Sequence, residues 1–421
     1  MKKVLFFVSL IYFSTVLFAQ SDSVYYGVNL SCAEWGSVFP GTYNIQYTYP
    51  TTKELDYYQS KGIRLIRLPI KWERIQQTLK GNLDTLELKR LFSFIDNIEL
   101  RNMKVIVDIH NYCRYNIAGT DNIIGSSAVS VADITDLWTK LALQLKSKSC
   151  IWAYGLMNEP HDLFSKTPWV TIAQEIITGI RTTDQTTTIL VGGDSWSSAL
   201  NWLNASDNLK KLVDPYNNLI FEAHCYFDSN GSGGYNATSY DKDGVTVQTG
   251  VNRVKPFVNW LAKNHLKGFV GEYGVPYYDT RWLPVLDTFL TYLKANHVGG
   301  SYWAGGPWWG NEQLSCEPKN GKDALQMSVL EKYGTNVPET PTELPITENN
   351  TFQIAYPNPF KSDVYFGNTE NNSLLEIYNS IGLKIFTQTI QSNKSLDLSF
   401  LVKGIYFFRI NNKQSFMMIK E

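Results

Sequence analysis

The chain of 421 residues has few of the side chains that build metal centres and disulfides, since it contains only five cysteines and five histidines. The cysteines are scattered, and no two of them have the spacing of a metal site. Their number is odd, so at least one stays unpaired unless it bridges two chains, and the pairing of the rest stays open. They are Cys32, Cys113, Cys150, Cys225 and Cys316.

An excess of charge of either sign is also absent. The 38 basic and 39 acidic residues leave a formal net charge of −1. Nothing in that balance attracts nucleic acid or an anionic membrane surface, so we expect no nucleic-acid partner. An uncharged partner fits this composition better.

Long apolar runs are missing from the chain after its first residues, and a membrane-spanning helix needs roughly twenty apolar residues. The start of the chain differs, because Met1-Lys2-Lys3 is followed by an apolar stretch over residues 4–13. With a cut after Ala19, this is the pattern of a secretory signal peptide. We predict that residues 1–19 are removed and that the mature protein is exported and soluble.

Aromatic residues are abundant, with 12 tryptophans and 25 tyrosines. Ordinary packing in a core accounts for most of them. The surplus rings are candidates for flat platforms on which sugars stack.

The middle of the chain alternates strand and helix patterns, with apolar residues recurring every three or four positions in the helices. The predicted strands are 25–30, 63–70, 104–111, 151–160, 187–193, 219–226, 268–274 and 299–306, and the clearest helices are 86–101, 131–148, 169–182, 247–264 and 282–296. About eight strand-helix units predict an α/β fold, a (β/α)8 TIM barrel, over residues 20–335. A doubly wound open sheet is the alternative.

Two further segments follow the barrel. Residues 336–350 are rich in proline, threonine and acids, which predicts an extended linker. Residues 351–421 contain short aromatic and β-branched runs separated by turn residues, which predicts a small all-β, sandwich-like domain.

Two glutamates stand where strands of the predicted barrel end. Glu159 lies in Asn158-Glu159-Pro160 after an apolar run, and Glu272 ends a later strand between Gly271 and Gly274. We expect the glycines to let a substrate approach the backbone closely. In a barrel the chemistry lies at the carboxyl ends of the strands. Two carboxylates at that rim are what cleavage of a glycosidic bond requires.

Other predicted strand ends carry polar or aromatic side chains that a structural barrel does not need. Each one alone is as readily an ion pair or a satisfied core residue, but together with the glutamates they predict one site. They are Arg67, His110, Asn158, His224, Tyr226 and Trp303.

These residues in this order resemble glycoside hydrolase family 5, the retaining cellulase-type barrels, over roughly residues 25–335. The resemblance implies that Glu159 is the acid/base and Glu272 the nucleophile, and the six residues above fall on the family's other site positions. Segments 110–115, 221–232 and 302–310 resemble a subgroup of secreted endo-β-1,4-glucanases. The implied activity is cleavage of internal bonds in cellulose-type β-glucan by double displacement, which needs no cofactor.

Physical chemistry assigns each side chain an expected role. Arg67 and the Tyr226 hydroxyl should hold Glu272 ionised, because charge-assisted hydrogen bonds favour a carboxylate. Asn158 is suited to bind the sugar 2-hydroxyl, and both histidines to position substrate or catalytic groups. Trp303 would form the floor of the site, with Trp35, Trp308 and Trp309 as platforms for neighbouring sugars. Since adjacent residues of an extended strand point to opposite sides, one of the last two should pack under a loop.

Other functions remain open at this stage. A mannanase, xylanase or xyloglucanase of the same family would use the same two glutamates. A non-catalytic glycan-binding barrel is a third hypothesis, although such a protein has no need of both carboxylates. We expect a monomer.

The last seventy residues resemble a sorting domain of the type IX secretion system of some Gram-negative bacteria. The resemblance rests on segments 355–360, 377–382, 396–399 and 404–407. It implies export across the inner membrane, then recognition of the tail by the outer-membrane machinery, and a secreted or surface-attached product. A carbohydrate-binding module is the alternative.

Overall fold

The computed structural model describes residues 24–163, 167–236, 239–334, 355–367, 369–379, 383–411 and 414–421. The predicted signal peptide and linker lie outside these residues. Eight strands form the centre of the larger unit: β1 (Tyr26–Leu30), β2 (Leu65–Ile70), β3 (Lys104–Ile109), β4 (Ile151–Gly155), β5 (Thr188–Gly192), β6 (Leu219–His224), β7 (Gly268–Tyr273) and β8 (Gly299–Gly305).

All eight strands run parallel and form a closed barrel. Each strand is hydrogen-bonded to the next in chain order, and β1 also pairs with β8, with Tyr26 opposite Gly300 and Val28 opposite Tyr302. The strands are buried along nearly their whole length, which explains why they read as continuous apolar runs. The pairing of the first and last strands confirms the (β/α)8 barrel and excludes the open sheet.

Helices cover the outside of the barrel and bury one apolar face each. The helix Trp169–Arg181 is typical, because Ile172, Ile176 and Ile180 recur at helical spacing and are fully buried. The longer helices are Thr52–Ser60, Thr85–Glu99, Val131–Leu145, Trp169–Arg181, Thr249–Asn264 and Trp282–Ala295. Short helices are Trp72–Ile75, Trp202–Ala205, Asp207–Lys211, Ser239–Lys242 and Met327–Leu330.

The predicted strands and the five predicted helices are all present, with shifts at their ends. The largest shift is in β4, which was expected to reach Pro160 and ends at Gly155. The helix Thr52–Ser60 was not predicted, although Thr51 and Glu54 begin it with a reciprocal capping box, a contribution of about 1 kcal/mol. A hairpin of Arg114–Ile117 and Thr120–Ile123 was not predicted either.

All five cysteines are buried and unpaired. Their thiols lie in the packed interior of the barrel unit, where they act as small apolar side chains. Within the ranges that the structure describes, no helix is both long enough and apolar enough to cross a membrane.

The chain divides near residue 340 into two compact units, and the second is all-β. It contains two antiparallel sheets, one of Ala355–Tyr356, Asp363–Phe366 and Lys394–Asp397, the other of Ser373–Asn379, Lys384–Ile390, Gly404–Ile410 and Gln414–Lys420. The buried residues between the sheets, including Val364, Phe366, Ile377 and Phe408, form a separate small core. This confirms the predicted small all-β fold.

Candidate active site

Glu159 lies on the loop that follows β4, at the carboxyl end of the barrel. Three hydrogen bonds hold this loop: the Leu156 amide donates to Leu190, the Asn158 amide donates to Ile109, and the Trp138 indole donates to the Leu156 carbonyl, at 2.8–3.0 Å. Glu159 itself has φ +42°. A non-glycine residue adopts that conformation only where its surroundings fix it, and such positions cluster at functional sites.

Glu272 is the fifth residue of β7, and both of its carboxylate oxygens have a partner. Oε1 lies 3.3 Å from Nη1 of Arg67, and Oε2 accepts a hydrogen bond of 2.8 Å from the Tyr226 hydroxyl. The side chain is buried, so these contacts act at low dielectric. They fix the direction in which the carboxylate points.

The two glutamates face one another across His224. Nδ1 of His224 lies 2.7 Å from Oε1 of Glu159 and 3.6 Å from Oε2 of Glu272. One ring nitrogen of His224 and one carboxylate oxygen of each glutamate lie within 4.8 Å of one another. The two carboxyl groups, 113 positions apart in sequence, therefore share one small space.

Arg67, fully buried inside the barrel, is the centre of the polar network. Its nitrogens lie 2.9 Å from Oε1 of Glu222 and 3.1 Å from Oδ1 of Asp108, in addition to the contact with Glu272. It also donates to the side-chain oxygens of Asn29, at 3.0 Å, and Asn158, at 2.8 Å. The guanidinium thus contacts side chains from five strands or strand ends through ion pairs and hydrogen bonds. Glu222 and Asp108 were not predicted.

The orientation of Asn158 follows from its contact with Arg67. Because a guanidinium only donates, the atom facing it must be the amide oxygen, so Nδ2 faces His110 Nε2 at 3.3 Å. Nε2 is then the acceptor, and the other ring nitrogen of His110 carries the proton toward Asp108 at 2.9 Å. Burial lowers the pKa of His110 well below its usual range, in keeping with a neutral ring.

Burial and neighbouring groups act on the pKa of Glu272 in opposite directions. Burial raises the pKa of Glu272 to about 7, and the Glu159 carboxylate adds to the rise, although His224, Arg67 and Tyr226 act in the opposite direction. Arg67 and Tyr226 thus act in the expected direction, toward the ionised form of Glu272, but burial has the larger effect. Glu272 therefore keeps its proton to a higher pH than a free glutamate does.

His224 shows the opposite balance. Burial disfavours its charged form, but the charge of Glu272, the contact with Glu159 and the nearby Glu222 carboxylate outweigh burial and raise the pKa of His224 to about 10. The raised pKa favours the imidazolium form of the ring. In that form the ring supplies the positive charge nearest to Glu159.

Close packing inside the barrel, rather than the approach of a substrate, explains the two glycines near Glu272. A Cβ on Gly271 would lie 1.7 Å from Oε1 of Glu222, and one on Gly274 would lie 2.6 Å from the Trp303 carbonyl oxygen. Gly271 leaves room for a buried carboxylate and Gly274 for the neighbouring strand. Neither glycine needs a substrate to explain it.

A series of aromatic rings leads away from the glutamates. Trp303 stacks on His110, with ring centroids 5.5 Å apart and planes 11° apart, and meets Trp309 edge-on at 5.9 Å. Trp35 packs against both Trp308 and Trp309, at 6.3 Å. Trp309 is buried while Trp35 and Trp308 are partly exposed, which confirms that one of the adjacent tryptophans packs inside.

A cavity of about 790 Å³ opens beside Glu159, and Glu159, His224 and Tyr226 line it. Its rim includes Trp196, which sequence reasoning missed. The Trp196 ring is 47% exposed and stacks on His161, with centroids 4.4 Å apart and planes 13° apart. Ser195, Trp196 and Ser197 all have φ between 52° and 57°, so a left-handed turn presents the ring to the cavity.

The structure thus brings eight predicted residues into one connected network, with two partly exposed tryptophans at the end of its aromatic series. The network contains Glu159, Glu272, Arg67, His110, Asn158, His224, Tyr226 and Trp303; the rim residues are Trp35 and Trp308.

Known proteins share this arrangement of sequence and fold. Residues 26–309 match the family described as "Cellulase (glycosyl hydrolase family 5)". A probable endo-beta-1,4-glucanase B of Neosartorya fischeri is 32% identical over 324 residues, which cover 75% of this chain and 93% of that protein.

Solved structures agree with the sequence relatives. The endoglucanase Cel5A of Pseudomonas stutzeri, in complex with cellobiose, is 39% identical with a TM-score of 0.70, covering 74% of this chain and 92% of that one. An endo-beta-1,4-glucanase of Xanthomonas axonopodis pv. citri is 36% identical with a TM-score of 0.68, covering 74% and 98%.

Residues 354–420 match a second family, described as "Secretion system C-terminal sorting domain". The second unit is therefore a sorting domain of the type IX kind. The barrel, its paired glutamates and the match over most of the chain lead to one conclusion: this enzyme belongs to glycosyl hydrolase family 5, the cellulase family.

Proposed function

We propose that this protein is an exported, retaining endo-β-1,4-glucanase in which Glu272 is the nucleophile and Glu159 the acid/base. The separation of the two carboxyl groups carries the proposal. Retaining enzymes hold them about 5–5.5 Å apart and inverting enzymes about 6.5–9.5 Å apart, to admit a water. A carboxylate oxygen of Glu159 lies within 4.8 Å of a carboxylate oxygen of Glu272, and this short separation favours retention.

The surroundings of each carboxyl group distinguish the two roles. Glu272 is buried and receives hydrogen bonds from Arg67 and Tyr226, which stabilise a charged and oriented nucleophile. Glu159 is partly exposed and lines the cavity, where a leaving group has room. In the proposed reaction the proton is therefore on Glu159, beside the leaving group, and the negative charge is on Glu272.

The reaction then proceeds in two displacements. Glu272 attacks the anomeric carbon while Glu159 gives its proton to the departing glycosidic oxygen, which leaves a covalent glycosyl ester on Glu272. Esterification removes the negative charge of Glu272, so a carboxylate on Glu159 no longer has an anion beside it. Glu159, now a carboxylate, takes a proton from water, whose oxygen attacks the anomeric carbon and releases Glu272.

Other side chains have supporting roles in this proposal. The Asn158 amide, with its oxygen fixed by Arg67, presents Nδ2 toward the site, where a second N–H is suited to the sugar 2-hydroxyl. Trp303, held face to face with His110, is suited to form the floor beneath the reacting sugar. Proton transfer and carboxylate attack complete the chemistry, so we propose no cofactor.

The substrate class follows from the relatives and from the aromatic surfaces. The similar proteins are named endo-beta-1,4-glucanases, and one solved relative is a complex with cellobiose. Partly exposed tryptophans lie at two places around the glutamates: Trp196 lines the cavity with Glu159, and Trp35 and Trp308 belong to the aromatic series that starts at Trp303. A chain that extends past the cleaved bond in both directions fits this arrangement, as internal cleavage requires.

The remainder of the chain fits an exported enzyme. We propose a signal peptide over residues 1–19, a catalytic domain over 20–335, a linker over 336–350 and a sorting domain over 351–421. The match of residues 354–420 to a secretion-system sorting domain supports this division. The proposed partners are the β-glucan and the type IX machinery, and the proposed state is a monomer.

The test compares polysaccharides directly. Purified enzyme is incubated with carboxymethyl-cellulose, mannan, xylan and xyloglucan, and product lengths are measured over time. We expect carboxymethyl-cellulose to yield a broad distribution of oligosaccharides first. Faster cleavage of mannan, xylan or xyloglucan would reject the glucanase in favour of the related specificity, and release of one short product from the start would reject internal cutting.

A variant series separates catalysis from binding. Glu272→Gln should abolish hydrolysis with no change in the circular dichroism spectrum, while Glu87→Gln, which alters a buried carboxylate bound by Tyr47, Tyr49 and Arg90, should retain turnover. Substantial turnover by Glu272→Gln would reject the nucleophile assignment.

A further inference from the structure

Glu222 is a buried carboxylate that the two-displacement mechanism does not use. It lies on β6 two residues before His224, and side chains two positions apart on a strand point to the same side, here the barrel interior. Its Oε1 lies 2.9 Å from Nε of Arg67 and 3.5 Å from Nε2 of His224. Only 2% of its side chain is exposed, so Glu222 does not meet the substrate.

The barrel wall makes room for this carboxylate. Gly271 on the neighbouring strand β7 lacks the Cβ that would lie 1.7 Å from Oε1 of Glu222. Gly271 also directly precedes Glu272. The space for Glu222 and the position of Glu272 are thus set by adjacent residues of one strand.

Carboxylate oxygens surround both nitrogens of the His224 ring. Nδ1 lies 2.7 Å from Oε1 of Glu159 and 3.6 Å from Oε2 of Glu272, and Nε2 lies 3.5 Å from Oε1 of Glu222. A neutral imidazole has only one N–H, so beside ionised carboxyl groups a bare nitrogen of the ring would face an oxygen. An imidazolium removes that repulsion, because it carries a proton on each nitrogen. Glu222 is therefore the counter-ion on the side of the ring away from Glu159.

Charged groups reach His224 from several elements. Glu159 comes from the loop after β4, Glu272 from β7 and Glu222 from β6, while Arg67 on β2 faces both Glu222 and Glu272. Asp108 on β3 lies 3.1 Å from Nη2 of Arg67. Because Glu222 holds Arg67 and His224 at once, it fixes the position of both cations nearest to the glutamate pair.

We propose that Glu222 is a positioning residue that keeps His224 charged and directed between the two catalytic carboxyl groups, and so sets the pH range in which the pair holds a single proton. This inference rests on the proposed function of Glu159 and Glu272. Glu222 acts through His224 and touches neither substrate nor reacting atoms.

The sign of the effect distinguishes this proposal from simple loss of a buried charge. In Glu222→Gln we expect His224 to lose its counter-ion and become neutral, so Glu272 loses a cation 3.6 Å away and its pKa rises. If His224 instead stayed charged, removal of a negative charge would lower the pKa of Glu272. The acid limb of the kcat/KM profile therefore moves to higher pH in the first case and to lower pH in the second.

The pH profile is the functional test. We expect the acid limb of Glu222→Gln to move up by about one pH unit, with Glu222→Asp lying between the variant and the wild type. In a His224→Asn background, Glu222→Gln should not move the limb further, because its effect passes through the imidazole. Glu87→Gln, the matched buried carboxylate, should keep the wild-type limb. An unmoved limb in Glu222→Gln, or one that moves down, overturns the proposal.

A spectroscopic readout needs no activity. The ¹⁵N shifts of the five histidines report directly which rings carry two protons, and substitution of each histidine in turn assigns His224. We expect an imidazolium at pH 7.5 in the wild type and a neutral ring in Glu222→Gln. A neutral His224 in the wild type overturns the inference even if Glu222→Gln does not fold. If His224 is charged but the Glu272→Gln variant is active, the proposed function is rejected, whereas the inferred charge of His224 is not.

Discussion

The Tyr226 hydroxyl lies 2.8 Å from Oε2 of Glu272, on the oxygen that Arg67 does not contact. Each oxygen of the buried carboxylate thus has one donor. A donor fixed before the reaction stabilises the charge of the nucleophile and also stabilises the same carboxylate when it leaves in the second step.

Removal of that donor should slow catalysis without unfolding the enzyme. For Tyr226→Phe we expect kcat/KM to fall about a hundredfold, since one oriented donor to a reacting oxygen is worth that much. The control is Tyr154→Phe, which removes a buried hydroxyl that donates to Asp184 at 2.8 Å on the outer side of the barrel. Equal losses in both variants, measured by steady-state kinetics on the same substrate, would assign the effect to packing.

Loss of the acid should depend on the leaving group. Glu159→Gln cannot protonate the departing oxygen, so hydrolysis of cellooligosaccharides should fall by about a thousandfold or more. An aryl glycoside with an acidic phenol needs no proton, so its burst of released phenol should persist, followed by slow turnover because the general base is missing too. Equal losses on both substrates in the burst phase would contradict the role of Glu159.

Protein stability should report the raised pKa of Glu272. The folded pKa of about 7 lies above the unfolded value of 4.5, so protonation favours the folded state, and this contribution is lost as pH rises from about 4.5 through 7. Glu272→Gln keeps a neutral side chain at every pH. Its free energy of unfolding relative to wild type should therefore increase between pH 5 and pH 8, on the order of 2 kcal/mol. A difference that is the same at both pH values in urea melts would contradict the shift.

Trp196 and Trp35 should act on opposite sides of the cleaved bond. If Trp196 stacks on the leaving sugar, Trp196→Ala should raise KM for cellopentaose roughly fivefold, equivalent to about 1 kcal/mol of lost stacking. The same variant should leave aryl cellobiosides unaffected, because their leaving group is the aryl ring. Trp35→Ala should weaken the binding of both substrates. Identical behaviour of the two variants would contradict the placement of Trp196 and Trp35 on opposite sides of the cleaved bond.

The sequence was sufficient for the barrel because each strand is buried on both faces and reads as an apolar run bounded by turns. The ends of the strands were predicted less accurately. After Gly155, Leu156 and Met157 continue the apolar pattern of β4, but Leu156 has left the strand to receive the Trp138 indole, a contact between distant parts of the chain. The hairpin at Arg114–Ile117 has little apolar content and depends on its surroundings.

The candidate site also contains both residues that the sequence predicts and residues that it does not. Glu159 and Glu272 carry a recognisable local pattern, whereas Glu222 and Asp108 stand inside strands, where a buried acid is costly and reads as an exception. Their spacing from His224 and His110 was nevertheless a usable signal, since each acid lies two positions before a histidine and must share its face. Trp196 gave no such signal, because it stands on an irregular loop.

The central claim is that Glu272 and Glu159 act by double displacement, and the stereochemistry of the product tests it most directly. Proton NMR spectra recorded within the first minutes of cellopentaose hydrolysis show which anomer of the new reducing end is released before mutarotation. Two inversions at one carbon predict that the β-anomer appears first and the α-anomer only later. Initial release of the α-anomer would mean a single displacement by water and would contradict the account.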